Sequence, residues 1–306
     1  MTQGPAEFRD GTAGCKSSSE FGKYSVKMGT VGFLMLISVL LNGCKHQASE
    51  FVPSAENTDR KWTLTWDDEF TGPNGSSPDP AKWVIESGGN GWGNEELEYY
   101  TPRQENLRLE NGNLVIEAMK ENFVGSDGVR RRYTSARVTT KGRFTQMYGR
   151  FEARVQIPPG QGTWPAFWLM GDDYTSAGWP ACGEIDVMEN VDTDKSRIRV
   201  SIHGPGYSAR QSVTSSFSLP HAQFSDMFHV FAMEWEPRAI RFYVDDELYS
   251  TMTPANLPGG APWVFNHPFF IILNLAVGGN LPASPDISTE FPQRMLVDYV
   301  RVYSRR

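Results

Sequence analysis

Residues 228–252 read FHVFAMEWEPRAIRFYVDDELYSTM, and their pattern decides the fold class. Phe228–Trp235, Ile240–Val244 and Leu248–Met252 are short runs rich in aromatic and apolar residues, broken at Glu236-Pro237 and Asp245-Asp246. Runs of this length bounded by turn formers predict a meander of strands. The same rhythm extends outward. Leu107–Glu110 and Leu114–Met119 flank Asn111-Gly112, a pair suited to a two-residue hairpin. Tyr148–Ile157 alternates apolar and polar residues and stops at Pro158-Pro159-Gly160. Phe269–Val277 is nearly all apolar and ends in Gly278-Gly279, and Met295–Tyr303 alternates again. No segment gives a long amphipathic helix. Many short strands with regular turns predict an all-β sandwich or barrel. No linker interrupts residues 62–304, which predicts one domain there.

The 306 residues are 39% hydrophobic and 21% charged, enough for a sizeable core. The net charge of −7 comes with no basic run longer than Arg130–Arg132, which argues against nucleic acid as a partner. Nine Trp and 11 Tyr supply flat rings suited either to sugar faces or to core filling. Cys15, Cys44 and Cys182 have no spacing that suggests a zinc site or a disulfide framework.

The apolar run Val31–Leu41 is too short to cross a bilayer as a helix and fits the apolar region of an export signal, with Lys23 and Lys27 before it. Leu41-Asn42-Gly43-Cys44 follows and resembles a bacterial lipoprotein box, with Cys44 as the lipidated residue. Asn42 departs from the small residue usual there, which leaves a plain secretory cut open. The expectation is an exported protein, anchored by lipid at the cell envelope or else secreted. The expected division is residues 1–44 as the export segment, 45–60 as a polar tether and 61–306 as the folded domain.

The chemistry concentrates in Gly183-Glu184-Ile185-Asp186-Val187-Met188-Glu189-Asn190. Strand residues two apart share a face, so Glu184 and Asp186 point one way and Ile185 and Val187 the other. Glu189 breaks the parity, and a one-residue bulge near Met188 restores it to the acidic face. Three neighbouring negative charges repel and titrate together. That arrangement suits a retaining glycosidase, which needs a nucleophile and an acid/base about 5–5.5 Å apart. A calcium site or a solvated acidic strand are the other readings of this spacing; the segment is apolar for a calcium loop.

Trp164 and Trp168 precede the cluster in Gly162–Met170, and Trp179 lies just before it. They suit a cleft that stacks pyranose rings, or alternatively a packed core. The loop Gly88–Leu97 (GGNGWGNEEL) offers Asn94 and a Trp, and no helix or Lys placed for phosphate. Arg137, His203 and Asn274 are isolated polar residues in or beside strands, each equally at home as a satisfied structural group. Cys182 precedes Glu184 by two and is read as packed.

Together GEIDVMEN, GTWPAFWLM, GNGWGNEELEYYT, EWEPRAIRFYVDDELY, ILNLAVGGN and VDYVRVY resemble glycoside hydrolase family 16, in its bacterial laminarinase-like endo-β-1,3-glucanase branch. The likeness spans about residues 62–304. It implies a β-jelly roll of two antiparallel sheets with a concave substrate cleft and a retaining double displacement. It implies Glu184 as nucleophile, Asp186 as its assistant and Glu189 as acid/base. Asn94, Arg137, Trp164, Trp168, Trp179, His203 and Asn274 match substrate-cleft positions. Glu69, Gly112 and Asp298 match a structural calcium site, and catalysis needs no cofactor. The implied substrate is a β-1,3-glucan such as laminarin, with mixed-linkage β-1,3-1,4-glucan as an extension and a monomer as the working state. Agar or carrageenan as substrate, transglycosylation, a glucan-binding protein and a polysaccharide-adhering surface lipoprotein are the rival readings. Retention of both Glu residues argues against the binding protein, and the GNGWGNEE loop argues against the galactans.

Overall fold

The computed structural model describes residues 62–191 and 193–306. The export segment and tether expected at 1–60 lie outside them. In chain order the first strands are β1 Trp62–Asp68, β2 Val84–Glu86, β3 Glu98–Tyr100, β4 Leu107–Glu110, β5 Asn113–Val124 and β6 Arg130–Ser135. Next come β7 Arg137–Thr139, β8 Gly149–Gln156, β9 Thr163–Gly171, β10 Glu184–Glu189, β11 Arg197–His203 and β12 Val213–Ser218. The last are β13 His229–Glu236, β14 Ala239–Val244, β15 Glu247–Met252, β16 Phe269–Val277 and β17 Gln293–Arg305.

They form two sheets. The larger runs β15-β14-β13-β8-β17-β5-β6-β3, with β1 on β17 and β4 on β5; the smaller runs β12-β11-β10-β9-β16-β7-β2. Neighbours in the sheets are often distant in sequence, the crossover pattern of a jelly roll. The all-β sandwich expected from the sequence is present, and the meander at 228–252 becomes β13-β14-β15.

Turn chemistry sets the hairpins. Asn111 and Gly112 sit at φ 53° and 76° between β4 and β5, the left-handed pair of a type I′ turn. Asp245 and Asp246 adopt the same conformation, φ 48° and 67°, without a glycine. Here Asp245 compensates through its carboxylate, which accepts the Val230 amide at 2.8 Å and lies 2.7 Å from His229 Nδ1. Two features exceed the sequence expectation. Strand β5 runs on to Val124, and Glu98–Tyr100 form a fully buried three-residue strand that pairs in parallel with β6. Too short to show a period, β3 is fixed by what surrounds it.

The core lies between the sheets. On β8, Phe151, Ala153 and Val155 are fully buried while Arg150, Glu152 and Arg154 alternate outward. On β16 every residue is buried. Phe269, Ile271, Leu273, Leu275 and Val277 join the inter-sheet core. Phe270, Ile272 and Ala276 lie in small clusters on the opposite face with Met170, Cys182 and Trp164. That double burial explains the unbroken apolar run. Cys182 is packed as expected, its Sγ 3.6 Å from Met170 Sδ, and burial pushes its thiol up to about 11.

Candidate active site

Strand β10 carries its acids outward by an irregularity in register. Asp186 pairs with Trp168 on β9 and Ser201 on β11, whereas Glu189 pairs with Ala166 and Arg199. Val187 and Met188 therefore share one partner position, and both side chains are fully buried in the core. This is the bulge expected at Met188, and it brings Glu184, Asp186 and Glu189 to one face. Registers across the smaller sheet then align Glu86, Arg137, Asn274, Ala166, Glu189 and Arg199 in a single row. A methyl group in the middle of that row leaves a hollow between Asn274 and Glu189.

Each outer carboxylate has an indole donor. Trp179 Nε1 donates to Glu184 Oε2 at 2.7 Å, and Trp164 Nε1 donates to Glu189 Oε1 at 2.8 Å. Arg199 Nε adds a bond to Glu189 Oε2 at 3.1 Å. Asp186, between them, is buried, which with the charges of Glu184 and Glu189 pushes its carboxyl well above the usual range. Its charge-side support is His203 Nε2, 3.0 Å from Oδ2. The amide of Ala209 donates to His203 Nδ1 at 3.1 Å, which places the imidazole's proton on Nε2, facing Asp186. The nearby carboxylates raise this histidine to about 9 despite burial. The geometry favours the neutral ring, because a second proton on Nδ1 would break the Ala209 bond.

The aromatic residues build a wall beside the acids. The Arg137 guanidinium lies 4.8 Å from the ring centres of both Trp92 and Trp168 and is ion-paired with Glu86. Trp168 Nε1 donates to Asn274 Oδ1 at 2.7 Å. Asn94 and Glu96 reach the same cleft from the loop before β3. Trp179 is more open, 42% exposed at the rim. All ten expected catalytic and cleft residues therefore meet at one place. Trp164 and Trp168 pack on the sheet and also line the cleft.

The remaining three do not join them. Glu69 is held by Arg301 in a two-bond pair at 2.7 and 2.9 Å, Asp298 is paired with Arg154 at 2.6 Å, and Gly112 occupies the β4–β5 turn. These carboxylates already have cationic partners, so they do not fit a cation site unless an arginine gives way. Glu184, Asp186 and His203 do place one ligand atom each within 4.8 Å of one another. That set fits a metal poorly, since the Nε2 lone pair is replaced by a proton aimed at Asp186.

Sequence reasoning did not single out Arg199, Glu86 or Glu96. Arg199 lies four residues before His203 on one strand, so parity puts both on the same face. Glu86 and Glu96 carry no comparable signal, because their partners come from register and from a loop.

The family model for glycosyl hydrolases family 16 matches residues 94–301. A beta-glucanase of Rhodothermus marinus is 41% identical over 88% of this chain and 92% of its own length. The catalytic domain of an endo-1,3-beta-glucanase (laminarinase) from Thermotoga petrophila superposes with TM-score 0.76 at 45% identity, over 81% of this chain and 99% of that one. The endo-beta-1,3-glucanase of Pyrococcus furiosus gives 0.77 at 44% identity, over 81% and 96%.

Proposed function

The chain belongs to glycosyl hydrolases family 16, and on that premise we propose that it cleaves internal β-1,3 linkages of a glucan with retention of anomeric configuration. The observation that carries this reading is the bulge that turns three carboxylates to one face, the outer two each held by an indole N–H. Glu184 attacks the anomeric carbon while Glu189, protonated, delivers its proton to the departing glycosidic oxygen. Glu189 then takes a proton from water, which opens the glycosyl–Glu184 ester. Asp186 holds a proton between the two and steadies His203. Trp168 and Trp92 supply ring faces for glucosyl units, and Trp179 closes the rim.

A neutral glucan suits this cleft better than a sulfated galactan. Its two arginines, Arg137 and Arg199, are already committed to Glu86 and Glu189. Incubation of the protein with laminarin, mixed-linkage β-glucan and agarose tests the proposal. Laminarin oligosaccharides that first appear as the β-anomer support it. Cleavage of agarose alone keeps the chemistry and overturns the substrate; binding without cleavage overturns the enzyme reading.

The working form is read as a monomer, tethered by lipid at Cys44 or secreted. Labelling of the wild type but not of Cys44→Ser with a fatty-acid probe tests the anchor. Calcium at Glu69, Gly112 and Asp298 would have to displace two arginine pairs. If calcium bound there, saturating it a hundredfold above its Kd would add about 2.7 kcal/mol to unfolding free energy; an unchanged melting curve removes the site.

A further inference from the structure

A second pair of carboxyl groups runs from the cleft wall, which Glu96 lines, into the core behind it, where Glu98 sits. Glu98, on β3, is fully buried. Its Oε2 accepts the amide of Val277 at 2.7 Å, while its Oε1 is buried without a donor. The group acting on it most strongly is Glu96, also buried, whose charge and hydrogen bonding raise it. Two carboxylates packed together out of water do not both ionise, and one proton between them satisfies the orphaned oxygen.

We propose that Glu98 remains a neutral acid that donates its proton to Glu96, and that this pair is the positioning device for the aromatic wall of the cleft. The proposal rests on the reading of the cleft as a glucan site. Burial, reinforced by the charge of Glu96 and the bond to it, pushes Glu98 well above the usual range. Burial also raises Glu96, while its bonds from Glu98 and Tyr100 and the charge of Arg137 draw it back, so the proton resides on Glu98.

A chain of bonds leads from the pair to the substrate side. Tyr100 Oη donates to Glu96 Oε2 at 2.9 Å and accepts Asn274 Nδ2 at 3.1 Å, and Asn274 Oδ1 accepts Trp168 Nε1 at 2.7 Å. This fixes which end of the Asn274 amide faces Trp168. The loop ahead of the pair needs an anchor, because Trp92 and Glu95 sit at φ 47° and 56°. It is stapled to the end of β16 by Leu97 N to Val277 O at 2.9 Å, Asn280 N to Asn94 O at 2.7 Å and the Glu98 bond itself. When Glu98 loses its proton to solvent, two charges face each other and the donor to Glu96 disappears. The other ionisable groups around the pair are Tyr100 on its own strand, Tyr133 beside Glu98 on β6 and Arg137 on β7, which is held by Glu86; β16 presents a backbone amide and neutral Asn274.

The full chain, Glu98→Gln and Glu98→Leu are compared by kcat and KM on laminarin across pH, and by infrared spectra in heavy water. A glutamine donates to Glu96 as the neutral acid does and accepts from Val277. Glu98→Gln therefore keeps the wild-type KM at acid pH within about twofold and abolishes its rise at alkaline pH. Glu98→Leu raises KM about fivefold with kcat within about twofold, the scale of one lost hydrogen bond. The wild-type-minus-Glu98→Gln spectrum at neutral pH shows the carbonyl band of a protonated carboxyl. Absence of that band overturns the shared proton. An alkaline rise in KM that persists in Glu98→Gln, or a wild-type KM that stays flat where the band vanishes, overturns the positioning role. If Glu98→Leu does not fold, the glutamine variant and the spectrum still decide. A wild type that leaves laminarin intact while showing the band would sink the glucan reading and spare the pair.

Discussion

The two faces that the sandwich turns away from its core treat charge in opposite ways. Behind the larger sheet a row of acids is matched by arginines. Arg150 meets Glu152 and Asp246 at 2.8 Å and Glu234 at 3.7 Å, Glu117 takes Arg108 and Arg294 at 2.9 Å, and Arg154 holds Asp298. On the smaller sheet three acids, Glu184, Asp186 and Glu189, crowd one strand, with two indoles, His203 and the single arginine Arg199 as their donors. The first pattern lowers self-repulsion and is weakly stabilising. The second holds like charges together at a cost in stability, and one group answers by keeping its proton. Matched charge marks a face that only has to stay folded; mismatched charge marks the one that does chemistry.

The comparison breaks most visibly at Glu184. Replacing it with Gln should lower kcat on laminarin by ~10⁴-fold, as loss of a nucleophile does. Its melting temperature should hold or rise, since a repelling charge is gone. A folded variant with more than a few per cent of wild-type turnover would remove Glu184 from its role. Glu189→Gln should cost about 10²–10⁴-fold on laminarin, the range for a general acid. The loss should shrink on an aryl glucoside whose leaving group needs no proton; an equal loss on both would argue against Glu189 as the acid.

Asp186→Asn sharpens the point about the held proton. The folded Asp186 binds a proton well above the ordinary aspartate value, so its contribution to stability is full below about pH 3.9 and is lost as pH rises through the folded value. Asparagine has no proton to lose. The variant should thus gain on the wild type in thermal stability as pH climbs from acid toward neutral, while kcat falls ~10-fold through the lost proton store. A constant stability difference across that range would show that Asp186 is ionised in the fold. Smallest of all, Arg154→Ala on the matched face should shift unfolding free energy by no more than about 1 kcal/mol and leave kcat unchanged. A large change in turnover there would erase the distinction between the faces.

Much of this was legible in the chain. Parity alone put Glu184 and Asp186 on one face and demanded a bulge at Met188 to bring Glu189 beside them. Asn111-Gly112 announced its turn because both residues tolerate left-handed backbone. What stayed hidden depends on register and on distant partners. Arg199 meets Glu189 only because β11 pairs as it does. Glu98 looks like an ordinary surface acid until the parallel pairing of β3 with β6 and the end of β16 enclose it. A local pattern tells which face a residue takes, and it does not tell who stands across from it.

The irregular step at Val187 and Met188 also governs how this strand tolerates insertion and loss. Because both residues answer to a single partner position, one of them can be removed and the strand becomes regular with every acid still facing outward. Removal of Ile185 instead would throw Glu184 out of step with its neighbours. The strand thus has a single place where its length is free to drift without inverting its chemistry, and lineages that shorten or lengthen this segment are expected to do so there.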